Sequence, residues 1–358
     1  MSGLDLTSSS VALTRAVCDI HSESGDETPL ADAIEAALSA YPHLEVIRDG
    51  DTIVARTDLG RARRVVIAGH IDTVPINRNL PVEDREIDGE AFLWGRGTVD
   101  MKAGVAVQLK LAAELDAPPV DVTWMWYDHE EVDSSLNGLG RLSRNRPDLF
   151  EGDFAILGEP SNGEVEGGCN GTLRAVVRTT GVRAHSARSW IGENAIHKAA
   201  PILARLAEYR AREIEVEGLV YREGLNAVSI TGGVAGNVIP DACAVEVNYR
   251  FAPSRDAAGA ERVVRDVFTG FEVEIVDIAE GARPGLDAEL ARQFVDAVGA
   301  TPKPKYGWTD VARFSALGIP AVNYGPGDPH LAHHDEERVP VAQIIAVEDG
   351  LRAWLSGS

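Results

Sequence analysis

The sequence RVVIAGHID, at residues 64–72, decides the class of the fold. Its apolar, β-branched run is typical of a buried strand. His70 then lies at the carboxyl end of that strand, where open α/β sheets bind their ligands. Asp72 points to the same side of an extended chain and can accept a hydrogen bond from the His70 ring, as partners of metal-binding histidines do. Taken alone, however, this motif favours a hydrogen-bonded histidine without a metal.

The composition is that of a globular protein with more than one domain. The chain has 358 residues, of which 44% are hydrophobic and 25% charged, and this length favours two domains. Its formal net charge of −22 argues against a nucleic-acid partner, because phosphate binding needs clustered Lys and Arg. The three cysteines, Cys18, Cys169 and Cys243, lack metal-finger spacing and are typical of reduced thiols.

Two further features predict a cytoplasmic protein. Residues 1–10 have neither a basic start nor an apolar core, so we expect no secretory signal. No run approaches the roughly 20 apolar residues that a membrane helix needs, so we expect no membrane partner.

The order of predicted elements divides the chain into two domains. Up to residue 170, strands alternate with helical segments, which favours an α/β fold with a mixed sheet flanked by helices. Residues 171–281 read as an inserted α+β domain with strands and two helices, the first over 194–212. After residue 281 the earlier pattern resumes. We therefore expect one domain from residues 1–170 and 282–358, interrupted by a second from 171–281.

Five strand ends of the first predicted domain carry candidate metal ligands. They are His70, Asp100, Glu130-Glu131, Glu159 and the histidine-rich segment at 325–337. A single acidic residue at a strand end is usually solvated or caps a helix. Five such ends in one sheet indicate a metal site, and mixed imidazole and carboxylate ligands suit zinc and similar divalent ions.

The adjacent pair Glu130-Glu131 predicts a division of roles. Two neighbouring carboxylates repel each other unless a positive charge lies beside them. One can bind a metal while the other takes and returns a proton as a general base. A solvated acidic turn is the alternative, but it does not explain the apolar, aromatic strand at 120–127 that leads into the pair.

Together these motifs resemble the di-zinc aminoacylase and carboxypeptidase family of metallopeptidases, over the whole chain and in order. The matching motifs are GHID at 69–72, GRGTVDMK at 95–102, Glu130-Glu131, GEP at 158–160 and His333 four residues before Glu337. The resemblance implies a zinc-peptidase-like catalytic domain with an inserted dimerisation domain. It also implies a homodimer and two divalent metal ions, zinc in both sites or cobalt in one.

The resemblance implies five metal ligands: His70, Asp100, Glu131, Glu159 and His333. Asp100 would bridge the two ions, and the peptide bond between Asp100 and Met101 would be cis. His70 and Glu159 would complete one site, and Glu131 and His333 the other. The choice of His333 over the two neighbouring histidines rests on its spacing to Glu337.

The resemblance also implies three catalytic residues. Glu130 would be the general base, and Asp72 would orient His70. The stretch GVRAHSA at 181–187 is similar to a family motif whose histidine reaches across the dimer and stabilises the oxyanion, which makes His185 the candidate. A plain surface histidine is the alternative.

Four residues are candidates for substrate binding. Asn226 and Arg250 resemble positions that hold substrate carboxylates, although an Arg in a strand could equally form a structural ion pair. Thr309 and Arg313 form a candidate carboxylate clamp, since a planar guanidinium suits bidentate binding.

Within the family, the chain is most similar to the actinobacterial desuccinylases, on GCNGTLR at 168–174, GWTDVARF at 307–314 and GPGDP at 325–329. The implied reaction of lysine and diaminopimelate biosynthesis hydrolyses N-succinyl-LL-2,6-diaminopimelate by Glu-assisted attack of a zinc-bridging water. The chain differs from the proteobacterial form at residues 169–172 and 307–313, and these differences leave the identity of the acyl group open. The alternatives are an acetylornithine deacetylase, a dipeptidase or carboxypeptidase, and, more distantly, a non-catalytic metal-stabilised binding protein.

Overall fold

The structure is a computed structural model and describes residues 3–357. Its α-helices are α1 (Ser10–Asp19), α2 (Thr28–Leu38), α3 (Lys102–Glu114), α4 (Gly138–Asn145), α5 (Ala195–Lys198), α6 (Ala200–Glu208), α7 (Ala257–Val267), α8 (Glu289–Val298), α9 (Val311–Ala316) and α10 (Val341–Ser356). Its strands are β1 (Glu45–Asp49), β2 (Thr52–Arg56), β3 (Arg64–His70), β4 (Glu83–Ile87), β5 (Glu90–Trp94), β6 (Asp121–Tyr127), β7 (Phe154–Leu157), β8 (Glu166–Gly167), β9 (Gly171–Thr180), β10 (Ala184–His185), β11 (Glu213–Val216), β12 (Leu219–Arg222), β13 (Gly224–Gly232), β14 (Val238–Ile239), β15 (Ala242–Phe251), β16 (Glu272–Ala279), β17 (Lys303–Pro304), β18 (Ala321–Asn323) and β19 (Arg338–Pro340).

The chain forms two compact units. The first takes in the described residues up to Gly167, then Pro284–Lys303, then those from Arg313 onward. The second comprises Gly168–Arg283 and Pro304–Ala312. It is wider than the insert expected at 171–281, and the segment Pro304–Ala312 was assigned to the other domain. Two hydrogen bonds link this segment to the second unit: the Asn170 N–H donates to the main-chain oxygen of Lys305 at 3.1 Å, and the Cys169 thiol donates to that of Thr309 at 3.7 Å.

A mixed sheet forms the centre of the first unit, as expected. Its strand order is β1-β2-β6-β3-β7-β18-β8-β17. β3 pairs in parallel with β6 and β7, whereas β2 pairs with β6 in antiparallel. All residues of β6 and β7 are buried. Their apolar runs are continuous rather than alternating because both faces of these strands are covered.

Helix α3 begins immediately after the segment that carries Asp100. Every residue from Lys102 to Ala113 is buried, because the helix packs between the sheet and other helices. Gly104 faces the end of β7 so closely that a Cβ atom there would overlap the carbonyl oxygen of Gly158. The missing side chain therefore lets the helix approach the strand that leads to Glu159.

A four-stranded antiparallel sheet, in the order β13-β15-β9-β16, forms the core of the second unit. Its buried residues include Val177, Val245, Val247 and Phe251. The prediction of a single helix over residues 194–212 is wrong. Two shorter helices, α5 and α6, replace it, and Pro201 stands in the first turn of α6, where a residue without an N–H is tolerated.

No helix within residues 3–357 is long and apolar enough to cross a lipid bilayer.

The contact at Gly104 predicts a loss of stability on adding one methyl group. We expect Gly104→Ala to lower the free energy of unfolding by about 1–3 kcal/mol, as overpacking does, although Ala favours a helix by roughly 1 kcal/mol. Chemical denaturation measures the change. Gly236→Ala is the control, because a Cβ there meets nothing within 4 Å. Equal stability of the two variants would contradict the proposed contact.

Candidate metal centre

His70 projects from the end of β3 into a cluster of carboxylates. Its side chain is 1% exposed, and its Nε2 lies 3.0 Å from Oδ1 of Asp100. Its Nδ1 lies 3.0 Å from the main-chain oxygen of Asp72 and 3.4 Å from the Asp72 carboxylate. The ring is therefore oriented by both the backbone and the side chain of Asp72. Because Nδ1 donates to these oxygens, Nε2 is the nitrogen that faces the cluster.

Asp100 lies between two histidines. One carboxylate oxygen faces His70, and the other lies 3.3 Å from Nε2 of His333. The bond between Asp100 and Met101 is cis, as the family resemblance implied. The two Asp100 carboxylate oxygens thus face two different histidines.

His333 and Glu131 come together although 202 positions separate them in the chain. The two Glu131 oxygens lie 3.0 and 2.9 Å from Nε2 of His333. The neighbouring histidines engage elsewhere: His330 contacts Asp328 at 2.8 Å, and Nδ1 of His334 accepts a hydrogen bond from the Glu336 N–H. Of the three candidate histidines, His333 is therefore the one that contacts the cluster.

Possible ligand atoms of His70, Asp100 and Glu131 all lie within 4.8 Å of one another. Glu159 lies outside this group. It follows β7, the strand beside β3, and it is 5% exposed. The end of β7 is tied to β3 because the Gly158 N–H donates to the main-chain oxygen of Ala68 at 3.0 Å.

Asp72 does more than the sequence indicated, because it also holds the turn that carries Glu130 and Glu131. Its two oxygens accept hydrogen bonds from the backbone N–H groups of these residues at 3.0 and 3.1 Å. The Ser24 hydroxyl donates a third at 2.6 Å. Burial acts to raise the pKa of Asp72, but the hydrogen bonds, first of all from His70, lower it to about 2. Asp72 is therefore a carboxylate at neutral pH.

The electrostatics of the cluster fit a bound cation. Burial acts to lower the pKa of His70, but the hydrogen bonds to Asp100 and Asp72 outweigh it and raise the pKa well above its usual range. Hydrogen bonds to Asp100 and Glu131 raise the pKa of His333 to about 10. A cluster that draws protons onto two imidazoles holds concentrated negative charge, which a divalent cation can neutralise in place of those protons. The imidazole and carboxylate donors suit zinc.

Sequence reasoning missed a second buried carboxylate, Glu337, which holds the backbone of Asp100. It is fully buried, and its Oε1 accepts hydrogen bonds from the Val99 and Asp100 N–H groups at 2.9 and 3.1 Å. Its Oε2 pairs with the Arg96 guanidinium at 2.7 Å. The sequence used Glu337 only as a spacing mark for His333. An acidic residue after an acidic run carries no local sign of burial.

His185, Asn226 and Arg250 lie in the second unit, and none of them pairs with a carboxylate within residues 3–357. His185 ends β10, where its Nδ1 accepts a hydrogen bond from the Ala187 N–H at 3.0 Å. Asn226 is exposed on β13. Arg250, on β15, donates to Oδ1 of Asn248 at 3.1 Å.

Arg250 makes no ion pair within the described part of the chain. The structural ion pair that was the alternative for this residue is therefore absent from residues 3–357. Burial lowers the pKa of its guanidinium, as expected for a cation placed away from water without a compensating anion. Thr309 is buried in the second unit, whereas Arg313 begins the last segment of the first. The two candidates for a carboxylate clamp thus belong to different units.

Comparison with known proteins places these residues in a family. The family model described as Peptidase family M20/M25/M40 matches residues 66–356. The putative succinyl-diaminopimelate desuccinylase DapE of Mycobacterium tuberculosis is 56% identical, over 99% of this chain and 100% of the relative. The succinyl-diaminopimelate desuccinylase of Corynebacterium glutamicum is 48% identical, over 99% of this chain and 98% of the relative.

Solved structures share the fold at low sequence identity. The aminopeptidase PepT of Bacillus cereus superposes with a TM-score of 0.78 at 16% identity, over 99% of this chain and 98% of the other. The M20 family metallo-carboxypeptidase Sso-CP2 of Sulfolobus solfataricus does so with a TM-score of 0.75 at 14% identity, over 98% and 99% of the two chains. With its strand-end histidines and carboxylates gathered in one cluster, the chain belongs to the peptidase family M20/M25/M40.

Proposed function

We propose that this chain is a metal-dependent hydrolase that cleaves N-succinyl-LL-2,6-diaminopimelate to succinate and LL-2,6-diaminopimelate. The observation that carries the proposal is the convergence of His70, Asp100, Glu131 and His333 beside a turn that presents Glu130. Support for the succinyl substrate comes from two relatives that bear this activity in their names and align along almost the whole chain.

The proposed metal centre uses Asp100 for both ions, His70 and Glu159 for one, and Glu131 and His333 for the other. Two bound divalent ions, zinc in both sites or cobalt in one, would polarise the amide carbonyl and acidify a water molecule. The fit of the donor set and the concentrated negative charge support this assignment.

In the proposed mechanism Glu130 acts as general base and then as general acid. Its carboxylate accepts a proton from the attacking water as the water oxygen bonds to the amide carbon. The protonated Glu130 then donates that proton to the amide nitrogen as the carbon–nitrogen bond breaks. Asp72 keeps Glu130 in place through the backbone N–H. His185 of a second copy stabilises the oxyanion in this proposal.

We assign the recognition of the substrate carboxylates to Asn226, Arg250, Thr309 and Arg313. The support is clearest for Arg250, whose guanidinium is partly buried and makes no ion pair in residues 3–357. A partly buried cation gains most from binding an anion that the protein itself does not supply.

We propose a homodimer that forms through the edge strand β13. This strand contains no charged residue, and Asn226 to Gly232 are all exposed, with Val228 58% and Ile230 50% exposed. The opposite edge, β16, carries Glu274 and Asp277, and charged edges resist pairing with another strand. An uncharged edge rich in β-branched residues is the one suited to a second copy.

A cytoplasmic location is proposed as well. Cys18, Cys169 and Cys243 are all free and buried, as in proteins of reducing compartments.

The choice of substrate can be tested by measuring the release of free amine. With zinc-loaded protein, we expect kcat/KM to be higher for N-succinyl-LL-2,6-diaminopimelate than for N-acetylornithine. We expect a chelator to abolish turnover and added zinc to restore it, since the proposed mechanism needs the metal to acidify the attacking water. Preference for the acetyl substrate would indicate an acetylornithine deacetylase. No turnover of either, with metal bound, would favour a peptidase or a binding protein.

The role of Glu130 predicts a loss of turnover without loss of metal. We expect Glu130→Gln to lower kcat by about 10²–10⁴-fold, the usual contribution of a general base, while the metal content measured by mass spectrometry stays unchanged. Glu86→Gln, an exposed acid on β4, serves as the control and should retain full activity. Normal turnover by the Glu130 variant would exclude this residue as the base.

The proposed dimer predicts different effects at the two sheet edges. We expect Ile230→Lys to give a monomer in sedimentation-velocity experiments, because it introduces a charge into the β13 contact. Val276→Lys, at a 52% exposed position on β16, should leave the dimer intact. If the Ile230 variant sediments as a dimer, or the wild-type chain as a monomer, the β13 interface is wrong.

A further inference from the structure

The connection between α1 and α2 lies against the end of β3. The Ser22 hydroxyl donates to the main-chain oxygen of Ile71 at 2.6 Å, and the Ser24 hydroxyl donates to the Asp72 carboxylate at 2.6 Å. The backbone N–H of Thr73 donates to the main-chain oxygen of Ser22 at 3.0 Å. This short connection, which precedes α2, is therefore bonded to the segment that orients His70.

The same connection also contacts the turn that carries Glu130. Glu27 is 0% exposed, and its Oε1 accepts a hydrogen bond from the backbone N–H of His129 at 3.1 Å. Its Oε2 accepts a hydrogen bond from the Gly25 N–H at 2.8 Å. Glu27 thus joins the α1–α2 connection to the residue immediately before Glu130.

His129 has a backbone conformation that needs support. Its φ is 58°, in the left-handed region that is strained for a residue with a side chain. The Glu27 carboxylate binds its N–H, and its ring Nδ1 lies 2.7 Å from Asp128 and 3.3 Å from Glu27. After this left-handed residue, the next two N–H groups both point at Asp72.

The side chain of Glu27 does not cap the helix that it precedes. It occupies the N-cap position of α2, but its side chain makes no capping hydrogen bond there. A buried carboxylate is stable only where hydrogen bonds replace its water. Here those bonds go to Gly25 and to His129. Helix capping therefore does not explain why a glutamate stands at this position.

We propose that Glu27 is a positioning residue for the hydrolytic reaction. By holding the backbone of His129, it sets the place and direction of Glu130, which follows in the chain. In this proposal Glu27 acts through the backbone of His129 and not through contact with the substrate. The inference rests on the proposed role of Glu130 as general base, and it adds a second support to the turn beside the one that Asp72 provides.

The test compares three substitutions of Glu27 in the zinc-loaded full chain. Glu27→Gln keeps an oxygen that can accept from the His129 N–H, Glu27→Asp keeps the charge but is one methylene too short, and Glu27→Ala removes the acceptor. Asp26→Asn is the matched control, since Asp26 is exposed on the same connection. For each variant, kcat and KM are measured with N-succinyl-LL-2,6-diaminopimelate, together with zinc content and amide hydrogen exchange of residues 128–132.

We expect Glu27→Ala and Glu27→Asp to lower kcat on the order of 100-fold, as small misplacements of a catalytic group do. KM and zinc content should stay within about twofold of wild type, because the substrate contacts and metal ligands are unchanged. Exchange of the 128–132 amides should become faster. Glu27→Gln should recover at least a tenth of the wild-type kcat, and Asp26→Asn should match wild type.

Three results would overturn the proposal. In the first, kcat per bound zinc is normal in both Glu27→Asp and Glu27→Ala. In the second, Glu27→Gln is as slow as Glu27→Ala, so that the acceptor is not what matters. In the third, hydrogen exchange of residues 128–132 is unchanged in Glu27→Asp, the variant used if Glu27→Ala does not fold. Failure of the proposed function itself is distinguishable, because it would appear as an inactive wild-type protein.

Discussion

The metal centre depends on the hydrogen bonds that the buried Asp72 carboxylate accepts. Its two oxygens bind the N–H groups of Glu130 and Glu131, and its backbone and side chain face the ring of His70. The residue therefore joins the end of β3 to the turn after β6, two parallel neighbours in the sheet. Hydrogen bonds to a charged group contribute roughly 1.5–3 kcal/mol each to stability. This carboxylate therefore fixes the position of His70 relative to the turn that carries Glu130 and Glu131.

The first unit repeats this use of a buried carboxylate at two further points. Glu337 binds the N–H groups of Val99 and Asp100, and Glu27 binds that of His129. Each carboxylate is desolvated and is stabilised by the backbone that it holds. Buried acids that are not metal ligands themselves thus hold the backbone near the residues that can bind metal. Part of the strongly negative charge of the chain is therefore structural rather than a solvated surface.

Local sequence patterns were sufficient for the elements that carry the cluster. The continuous apolar run of β3 and the aromatic run of β6 identified two strands, and the structure shows that these strands are parallel neighbours. The helix over 194–212 was wrong for a local reason as well. Its apolar spacing continues past Ala199, but the helix is interrupted at this residue and resumes as α6, with Pro201 in the first turn of α6.

The sequence by itself determined the strand-end motifs, their order and the family, since each depends on residues close together in the chain or on their spacing. The spacing to Glu337 predicted His333 over His330 and His334, but only the tertiary structure decided that His333 meets Glu131, a residue 202 positions away. It likewise decided that Glu337 holds Asp100 across 237 positions. The physical reason is that such hydrogen bonds depend on how distant segments pack, and packing leaves no periodic trace near either partner.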